Sequence, residues 1–398
     1  MIELDVAPRR TKIVTSAEEP ARYLVLGDFG GRPAEPHVVD RDNIDDVISI
    51  LQVSAGGMRI RSLEDFHPDR LYHRFEMGET GEPAEPEPAP PAASPTADIG
   101  ELLRPRSLLE QIAEGGDPFE QYVKELALAH SVPRQKKNGD RTAALSERMN
   151  ALLHHPRFQA LESAWRGVDF AVRQMDDAAA RIHIVQYSKE DLAIDLASDN
   201  LRATRLYAIL HSRRWTAAIG FHSFDDADVA LLAGIAVVAA DAHVPYLAQG
   251  SADMESALEV LRDVPEASHL GLALPRLLLR LPYGPRTSAI DSFEFEEMPG
   301  APVHGHYLWG NAALACLAVL VRGDAENLNL EDLPAHTYKH DSEWMMTPCA
   351  EVFMTEKEVL ALMDCGLMPL ISYKDRPLVR LAGFRAVNSA PLPLPSPF

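Results

Sequence analysis

The part of the sequence that decides the fold lies between residues 216 and 248. It reads TAAIGF at 216–221, DADVALLAGIAVVAADA at 226–242 and VPYLA at 244–248. The two outer segments are short and apolar, as buried strands are, whereas the middle segment is long enough to be a helix. A strand, a helix and a second strand in this order are typical of an α/β protein whose sheet is covered by helices.

The same alternation of strands and helices continues on both sides of this stretch. Ser188-x-x-Asp191 and Thr355-x-x-Glu358 have the spacing of helix N-caps, and Gly366 is expected to end the second of these helices. The fold class predicted from the sequence is therefore α/β, with a mixed sheet covered by helices. The other predicted strands cover 22–26, 58–63, 181–187 and 367–373, and the other predicted helices cover 42–51, 142–154 and 308–321.

A proline-rich segment divides the chain. Residues 78–96 read GETGEPAEPEPAPPAASPT, a composition that favours an extended spacer and cannot build a core. We therefore predict a small N-terminal α/β module at 1–77, a Pro/Glu-rich linker at 78–98 and a larger module at 99–390. The tail at 391–398 repeats the proline signal and is expected to be loose.

The composition excludes several classes of protein. The 398 residues carry a formal net charge of -21, which argues against nucleic-acid binding and against electrostatic docking on an anionic membrane. The longest apolar run, 229–240, is too short to span a bilayer, and the N-terminus lacks the apolar core of a signal peptide. The three cysteines match no zinc or redox pattern. We expect a soluble, cytoplasmic protein.

The motifs that could carry chemistry are weak. The glycine cluster at 27–31 follows a predicted strand. It has neither the GxGxxG spacing of a dinucleotide-binding loop nor the Lys-Ser/Thr of a Walker loop, and we expect it to be a structural turn. His336 and His340 have a zinc-compatible spacing, but Pro334 nearby favours a solvated loop over a metal site. The acidic run at 294–297 would place two carboxylates on one face of a strand, without any sign of a cleft. We predict no catalytic, cofactor or metal site. This favours a structural or assembly role over an enzymatic one.

Several long stretches of the larger module occur in the order of a known family. Together they span most of residues 99–389, and on them the module resembles the large subunit of the type VI secretion contractile sheath. The stretches are MNALLHHPRFQALESAWRGVDF (149–170), RIHIVQYSKEDLAIDL (181–196), LGLALPRLLLRLPYGP (270–285), FEFEE (293–297), YLWGNAALA (307–315), LPAHTYKHD (333–341) and AEVFMTEKEVLALMDCGLMPLI (350–371).

The resemblance implies a set of structural positions inside the sheath fold. Among them, Arg276 and Arg280 stand four residues apart between leucines and would share one face of a strand. We predict that they pair with acids from the run at 294–297, because an unpaired buried guanidinium is costly. The full set is Trp165, Arg166, Gly167, Pro275, Arg276, Arg280, Pro282, Tyr283, Trp309, Gly310 and Asn311.

The N-terminal module is similar to the small sheath subunit. LVLGDFGGRP (24–33), VDRDNIDDVI (39–48) and RIRSLEDFHPDRLYHRF (59–75) follow that family's landmarks in order. The linker would then join two normally separate subunits in one chain, which fixes their ratio and raises their effective concentration. The resemblance ends near residue 390, so we expect the large-subunit module to lack the C-terminal strand-exchange domain of its family.

The resemblance implies a non-enzymatic, structural protein of a contractile sheath or a sheath-like assembly, as a divergent or end-capping protomer. The alternative is a non-polymerising regulator or adaptor that mimics a pair of sheath subunits, and a soluble α/β enzyme ranks last. The implied partners are other sheath subunits and the inner tube protein, with the baseplate and a recycling AAA+ ATPase as further partners. The candidate ATPase contacts, which could instead pack on the larger module, are Leu102, Leu103, Leu108, Leu109 and Ile112.

Overall fold

The computed structural model describes residues 19–77, 119, 122–123, 138–324, 326–340, 342–374 and 376–394. Fifteen strands are formed in these ranges. The strands are β1 (Ala21–Gly27), β2 (His37–Val39), β3 (Ser54–Ala55), β4 (Met58–Arg59), β5 (Ala180–Gln186), β6 (Ala217–Phe224), β7 (Tyr246–Gly250), β8 (Leu270–Leu274), β9 (Leu277–Arg280), β10 (Leu308–Gly310), β11 (Asn329–Leu330), β12 (His336–His340), β13 (Glu343–Thr347), β14 (Leu367–Ser372) and β15 (Val379–Leu381).

Ten α-helices connect and cover the strands in the described ranges. None of them is long and apolar enough to cross a membrane. The helices are α1 (Ile44–Ile50), α2 (Pro68–Met77), α3 (Asn138–Leu153), α4 (Pro156–Gln174), α5 (Lys189–Leu196), α6 (Arg205–His211), α7 (Val229–Asp241), α8 (Glu255–Arg262), α9 (Ala313–Arg322) and α10 (Glu356–Asp364).

Nine strands form one mixed sheet in the order β11-β15-β14-β8-β7-β6-β1-β5-β2. The six strands from β14 to β5 are parallel to their neighbours, while β2 and β15 pair antiparallel and β11 is added antiparallel to β15. Chain order therefore reverses at β1, which is the switch point of a doubly wound sheet. This architecture confirms the predicted α/β class with a mixed sheet covered by helices.

The core has one layer on each face of the sheet. Side chains alternate along β1, so Tyr23 and Val25 pack into the layer of α4 and α9, whereas Leu24 and Leu26 pack into the layer of α5 to α8. Helix α9 is buried from Ala313 to Val321, which explains why its sequence is apolar on all sides.

The predicted helix ends are present in the structure. The hydroxyl of Ser188 accepts from the amide of Asp191, and the hydroxyl of Thr355 accepts from the amide of Glu358, which completes a capping box at each start. Gly366 follows α10 with a φ of +87°, in the left-handed region that glycine adopts without a penalty. These short-range patterns therefore placed α5 and α10 correctly.

The sequence analysis expected the N-terminal segment to form a separate module. In the structure, the described part of this segment is built into the larger module. Its first strand, β1, is hydrogen-bonded to β5 on one side and to β6 on the other, in the centre of the sheet. The Arg41 guanidinium also donates to the carbonyl oxygens of Val172, Arg173 and Met175 at the C-terminal end of α4. The two segments thus share one core, because a strand in the middle of a sheet buries both of its faces. The linker at 78–98 lies outside the described residues.

The described part of the tail also differs from the expectation of a loose end. Leu392 is only 8% exposed and packs against the core, near Gly271 in β8. The residue thus fills a space that a glycine leaves open in the sheet face. Residues 395–398 lie outside the described part.

Three predicted elements have different forms. The segment 308–321 begins as strand β10 and becomes helical only at α9, and the strand predicted at 58–63 is limited to β4. The loop expected around His336 is instead a hairpin of β12 and β13, in which Tyr338 pairs with Met345. Pro334, which favoured a loop in the sequence analysis, lies just before the first strand of this hairpin.

Candidate functional site

Three of the family-motif residues, Arg166, Arg280 and Tyr283, meet in a buried ion cluster between α4 and β9. Arg280, at the end of β9, is 8% exposed, and its guanidinium lies 2.9 Å from Glu162 Oε1 and 2.8 Å from Glu297 Oε2. Both carboxylate side chains are fully buried. Arg280 thus links β9 to α4 through Glu162, and to the segment that follows β9 through Glu297.

Arg166 and Tyr283 extend this cluster. Arg166 Nε donates to Glu162 Oε1 at 2.7 Å, and its Nη2 donates to the Tyr283 hydroxyl at 3.0 Å. The Arg280 guanidinium lies 4.2 Å from the centroid of the Tyr283 ring, within the range of a cation–π contact. Burial raises the pKa of Tyr283 to about 12, and the charge of Glu162 acts in the same direction. The phenol is therefore held protonated as a structural group.

Glu297 is the most constrained acid of the cluster. Burial alone would raise the pKa of its carboxyl, but Arg280, the hydrogen bond from His154 and the amide of Tyr283 lower that pKa to about 2. The His154 ring also stacks on the ring of His306 at 3.7 Å. The pKa of Arg280 is held well above its usual value, because Glu162 and Glu297 outweigh the effect of burial. Arg280 and Glu297 therefore stay charged over the neutral range.

Arg276 does not join this cluster, although it lies four residues before Arg280. Its guanidinium binds Glu351 with two bonds of 2.8 and 2.5 Å, and its side chain is 40% exposed. The prediction that both arginines pair with the acidic run 294–297 is thus confirmed for Arg280 and wrong for Arg276. The strand that would have placed Glu294 and Glu296 on one face is not formed, and Glu294 is exposed whereas Glu296 binds Arg286 at 2.9 Å.

The aromatic motif residues have structural contacts. Trp165 is fully buried in α4, and its indole N–H donates to the carbonyl of Phe29 at 3.0 Å, which fixes the turn after β1. Trp309, in β10, donates to the carbonyl of His304 at 3.0 Å. The glycine-rich segment at 27–31 is the turn that was predicted, held by Gln186, whose side chain accepts from the amide of Phe29 at 2.7 Å.

The remaining motif residues lie at close backbone contacts. A Cβ on Gly310 would meet the Leu279 side chain at 2.7 Å, and the side-chain Nδ2 of Asn311 donates to the carbonyl of His222 at 3.1 Å. Gly167 is a buried position of α4, near the ring of Phe221. Pro275 follows β8 through a cis peptide bond, and the carbonyl of Pro282 accepts from the Thr287 hydroxyl.

A groove lies at the carboxyl ends of β6, β7 and β8. It consists of two hollows of about 420 Å³ and about 610 Å³ that share Ser223, Gln249 and Arg276. The polar groups inside it are engaged, since Gln249 Oε1 accepts from the amide of Ala312 at 3.0 Å and its Nε2 donates to Ser223. Among the described residues, no group of three or more His, Cys, Asp or Glu is placed to hold a metal ion.

The comparison with known families assigns this architecture. The family model of the VipB tail sheath N-terminal domain (EvpB/VC_A0108) matches residues 141–259 and 252–390, which is more than half of the chain. The chain belongs to this tail sheath family. All eleven motif residues fall inside the matched ranges, and so does the buried ion cluster.

One curated relative agrees with the family model. The type VI secretion system sheath protein TssC1 of Pseudomonas aeruginosa is 26% identical over 296 aligned residues, which cover 62% of this chain and 59% of the relative. The chain thus spans about three-fifths of the length of this sheath protein. The likeness to the large sheath subunit, inferred from the motifs, is confirmed at the level of the family.

Two acids and a histidine of the site escaped the sequence analysis. Glu162 was hidden inside a helical pattern, although its spacing to Arg166 is the i, i+4 spacing of a helix ion pair. Glu351 and His154 left no signal, because their partners are distant in sequence. The five leucine and isoleucine residues between Leu102 and Ile112 lie outside the described residues.

Proposed function

We propose that this chain is a structural component of a type VI secretion contractile sheath or sheath-like assembly, as a divergent or end-capping protomer, and that it has no enzymatic role. The match of the tail sheath family over residues 141–390 carries this proposal. The buried cluster of Arg280, Glu162 and Glu297 supports it, since these charged groups bind one another and stiffen the fold. We place the protein in the cytoplasm.

The proposed partners follow from the relative, which is named as a sheath protein. They are other sheath subunits and the inner tube protein, with the baseplate and a recycling AAA+ ATPase as further partners. The segment 1–77 would act as a built-in small subunit. Its central strand β1 supports this, because it completes the sheet of the large-subunit module within one chain.

A second candidate is a non-polymerising adaptor that mimics a pair of sheath subunits. It is favoured by the edges of the described sheet, where β2 has three residues and β11 has two. Short edge strands offer few free backbone groups to a strand of another chain. Such a protein would bind the side of a sheath, or its end, without extending it.

The experiment is co-expression of this chain with the other sheath subunits of its own genome. Copurification with them, and density for the chain in electron micrographs of the assembly, is the expected result. The purified chain alone is expected to be a monomer or small oligomer, and tubes in negative stain would contradict this. Incorporation along the whole tube indicates a protomer, whereas binding only at an end indicates a cap. Absence of any copurified sheath subunit refutes both forms of the proposal.

The ATPase contact needs its own test. Leu108→Asp/Leu109→Asp is expected to abolish copurification of the AAA+ ATPase while the melting temperature stays unchanged. Intact ATPase binding by a folded double variant would refute the recognition role of these leucines.

A further inference from the structure

A short 3₁₀ turn, His304–His306, closes one side of the smaller hollow of the groove, just before β10. Gly305 lines the hollow, and its carbonyl accepts from the Gln159 side chain of α4 at 3.3 Å. The carbonyl of His304 accepts from the indole N–H of Trp309 at 3.0 Å, and the two rings lie 5.3 Å apart. Trp309, which also lines the hollow, is only 7% exposed. The 304–306 turn therefore covers the indole of Trp309.

A stack of two histidine rings holds the turn against the start of α4. The ring of His306 lies 3.7 Å from the ring of His154, and the two planes differ by only 10°. His154 Nε2 lies 3.2 Å from Glu297 Oε1, and because a carboxylate can only accept, this nitrogen carries a proton. The side chain of His154 is 11% exposed and that of Glu297 is fully buried. Two groups that can each gain a positive charge thus face each other where little water reaches them.

The acid that faces the stack does not balance two imidazolium charges. Glu297 also binds Arg280 at 2.8 Å, and its pKa of about 2 keeps it ionised throughout the range in which histidines titrate. Its single negative charge is already shared with a guanidinium. A second proton on the histidine pair is therefore left without a counter-charge.

Other titratable groups contact the turn from the opposite side. His304 Nε2 lies 3.3 Å from Glu351 Oε1, and Arg276 outweighs burial and lowers the pKa of this carboxyl, so it stays ionised as well. His336, on β12, packs on the ring of Tyr307 next to the turn. Burial, and then the charge of Arg286, lower the pKa of His336. Below neutral pH the groups that gain charge here are thus histidines, while the carboxylates keep theirs.

The sign of the pH effect follows from His306. Burial, and then the charge of His154, lower the pKa of His306 below its usual 6.5, and the smaller effect of Glu297 opposes them. Once the turn is released into water, this ring regains its ordinary pKa. The closed turn therefore binds fewer protons than the released turn. Its advantage is complete above pH 6.5 and falls by up to about tenfold per pH unit below that value.

We propose that the stack of His154 and His306 is an acid-sensitive latch: when both rings are protonated they repel each other, the 304–306 turn leaves α4, and Trp309 becomes exposed in the hollow. The release ends at Tyr307, whose hydroxyl lies 2.7 Å from His336 Nδ1 and 2.8 Å from Thr347 Oγ1. A phenol oxygen can accept from an imidazolium as well as donate to a neutral ring, so this anchor survives protonation of His336.

Hydrogen exchange of the full-length chain tests the latch without any substitution. The amides of His306 and Tyr307 donate within the turn at 3.0 and 3.3 Å. The turn at Leu201–Ala203 is the internal control, because the amides of Ala203 and Thr204 donate over the same two distances and it contains no histidine. After correction for intrinsic exchange rates, protection of the first turn should fall by up to about tenfold per pH unit below pH 6.5, with the control unchanged. A constant ratio of the two protections overturns the proposal.

Two substitutions in the turn assign the effect to the stack. His306→Phe keeps an aromatic ring on His154 but cannot gain a charge, and it should abolish the loss of protection in acid. His304→Asn, the matched control, removes the other histidine of the same turn and should leave that loss as in the wild type. Loss of protection that persists in His306→Phe, which would assign it to His336 or His304, overturns the proposal, and so does its disappearance in His304→Asn.

Tryptophan fluorescence measures whether Trp309 becomes exposed. Trp344→Phe first removes the tryptophan that is 73% exposed, which leaves Trp165, Trp215 and Trp309, all of them buried. In this background, lowering the pH from about 7 to about 5 should shift the emission to longer wavelength and increase quenching by acrylamide, with an unchanged far-ultraviolet circular dichroism spectrum. The shift should be absent when His306→Phe is added. No shift, or a shift accompanied by loss of helical signal, overturns the proposal, because the latch releases only the turn.

Discussion

Arg276 and Arg280 are four residues apart and both bind carboxylates, yet their surroundings differ. Arg280 is buried with two buried acids, whereas the side chain of Arg276 is 40% exposed and binds one acid. Water screens an exposed pair, so its net contribution to stability is small. A buried charge that loses its partner has no water to replace it, and the cost of breaking such a cluster is high.

The first prediction compares these two arginines. Arg280→Ala leaves Glu162 and Glu297 buried without their cation and should lower the free energy of unfolding by ~3–5 kcal/mol. Arg276→Ala, as the control, should lower it by less than ~1 kcal/mol. Urea denaturation followed by circular dichroism measures both. Equal losses in the two variants would contradict the difference in burial.

The second prediction concerns the acid side of the stability profile. Because the pKa of Glu297 falls from 4.5 to about 2 on folding, its contribution is complete above pH 4.5 and is lost as the pH drops towards 2. The loss is on the order of 3 kcal/mol. Glu297→Gln should therefore flatten the fall in unfolding free energy between pH 5 and pH 2. Glu296→Gln, which removes the salt bridge to exposed Arg286, serves as control. Identical slopes for wild type and Glu297→Gln would refute the prediction.

The sequence predicted part of this site. The apolar neighbours of Arg280 predicted that it would need an acidic partner, and Glu297 belongs to the acidic run 294–297 that was expected to supply one. The role of Glu162 was not foreseen, because a single acid within an amphipathic helix gives no sign of whether it faces the core. The partner of Arg276, Glu351, depends on how β9 lies beside a segment far along the chain, and no local pattern contains that information.

The third prediction concerns two helix ends. Gly323 after α9 and Gly366 after α10 both have positive φ, +70° and +87°. A Cβ on Gly323 would meet open space, whereas one on Gly366 would lie 2.3 Å from the carbonyl oxygen of Val387. Gly323→Ala should cost ~1–2 kcal/mol from the backbone alone. Gly366→Ala should cost roughly 3 kcal/mol or more, since a buried backbone must also move.

Thermal unfolding of the two glycine variants checks this difference. The expected order of melting temperatures is wild type, then Gly323→Ala, then Gly366→Ala. A Gly366→Ala variant as stable as Gly323→Ala would mean that the segment at Val387 moves freely. The helix end at Gly366 was predicted from sequence, because a cap depends on a few adjacent residues. Strand β10 and the β12–β13 hairpin were not, because short strands are decided by distant partners.

The order of strands in the sheet could not be predicted from the sequence. The composition of the proline-rich stretch at 78–96 predicted a boundary between two separate folding units. In the structure, β1 lies between β5 and β6, strands that follow it by well over a hundred residues. Such pairing depends on the total burial of both sheet faces, which periodicity within one segment does not report. The segment 19–77 is therefore part of the core.

The fourth prediction follows from that central strand. Without residues 1–77, β5 and β6 would each lose a full parallel partner and expose long unpaired edges, which promote aggregation. Residues 99–398 expressed alone should therefore be insoluble, and co-expression with residues 1–98 should restore a soluble complex.

A covalent link between the two parts should be dispensable, because the strand pairing holds them together. With a protease site inserted in the proline-rich stretch, the cleaved halves should co-elute in gel filtration and melt within a few degrees of the intact chain. Residues 99–398 that fold alone, with the melting temperature of the whole, would show that β1 is an accessory strand. Halves that separate after cleavage would show that the tether, and not the sheet, keeps the N-terminal segment in place.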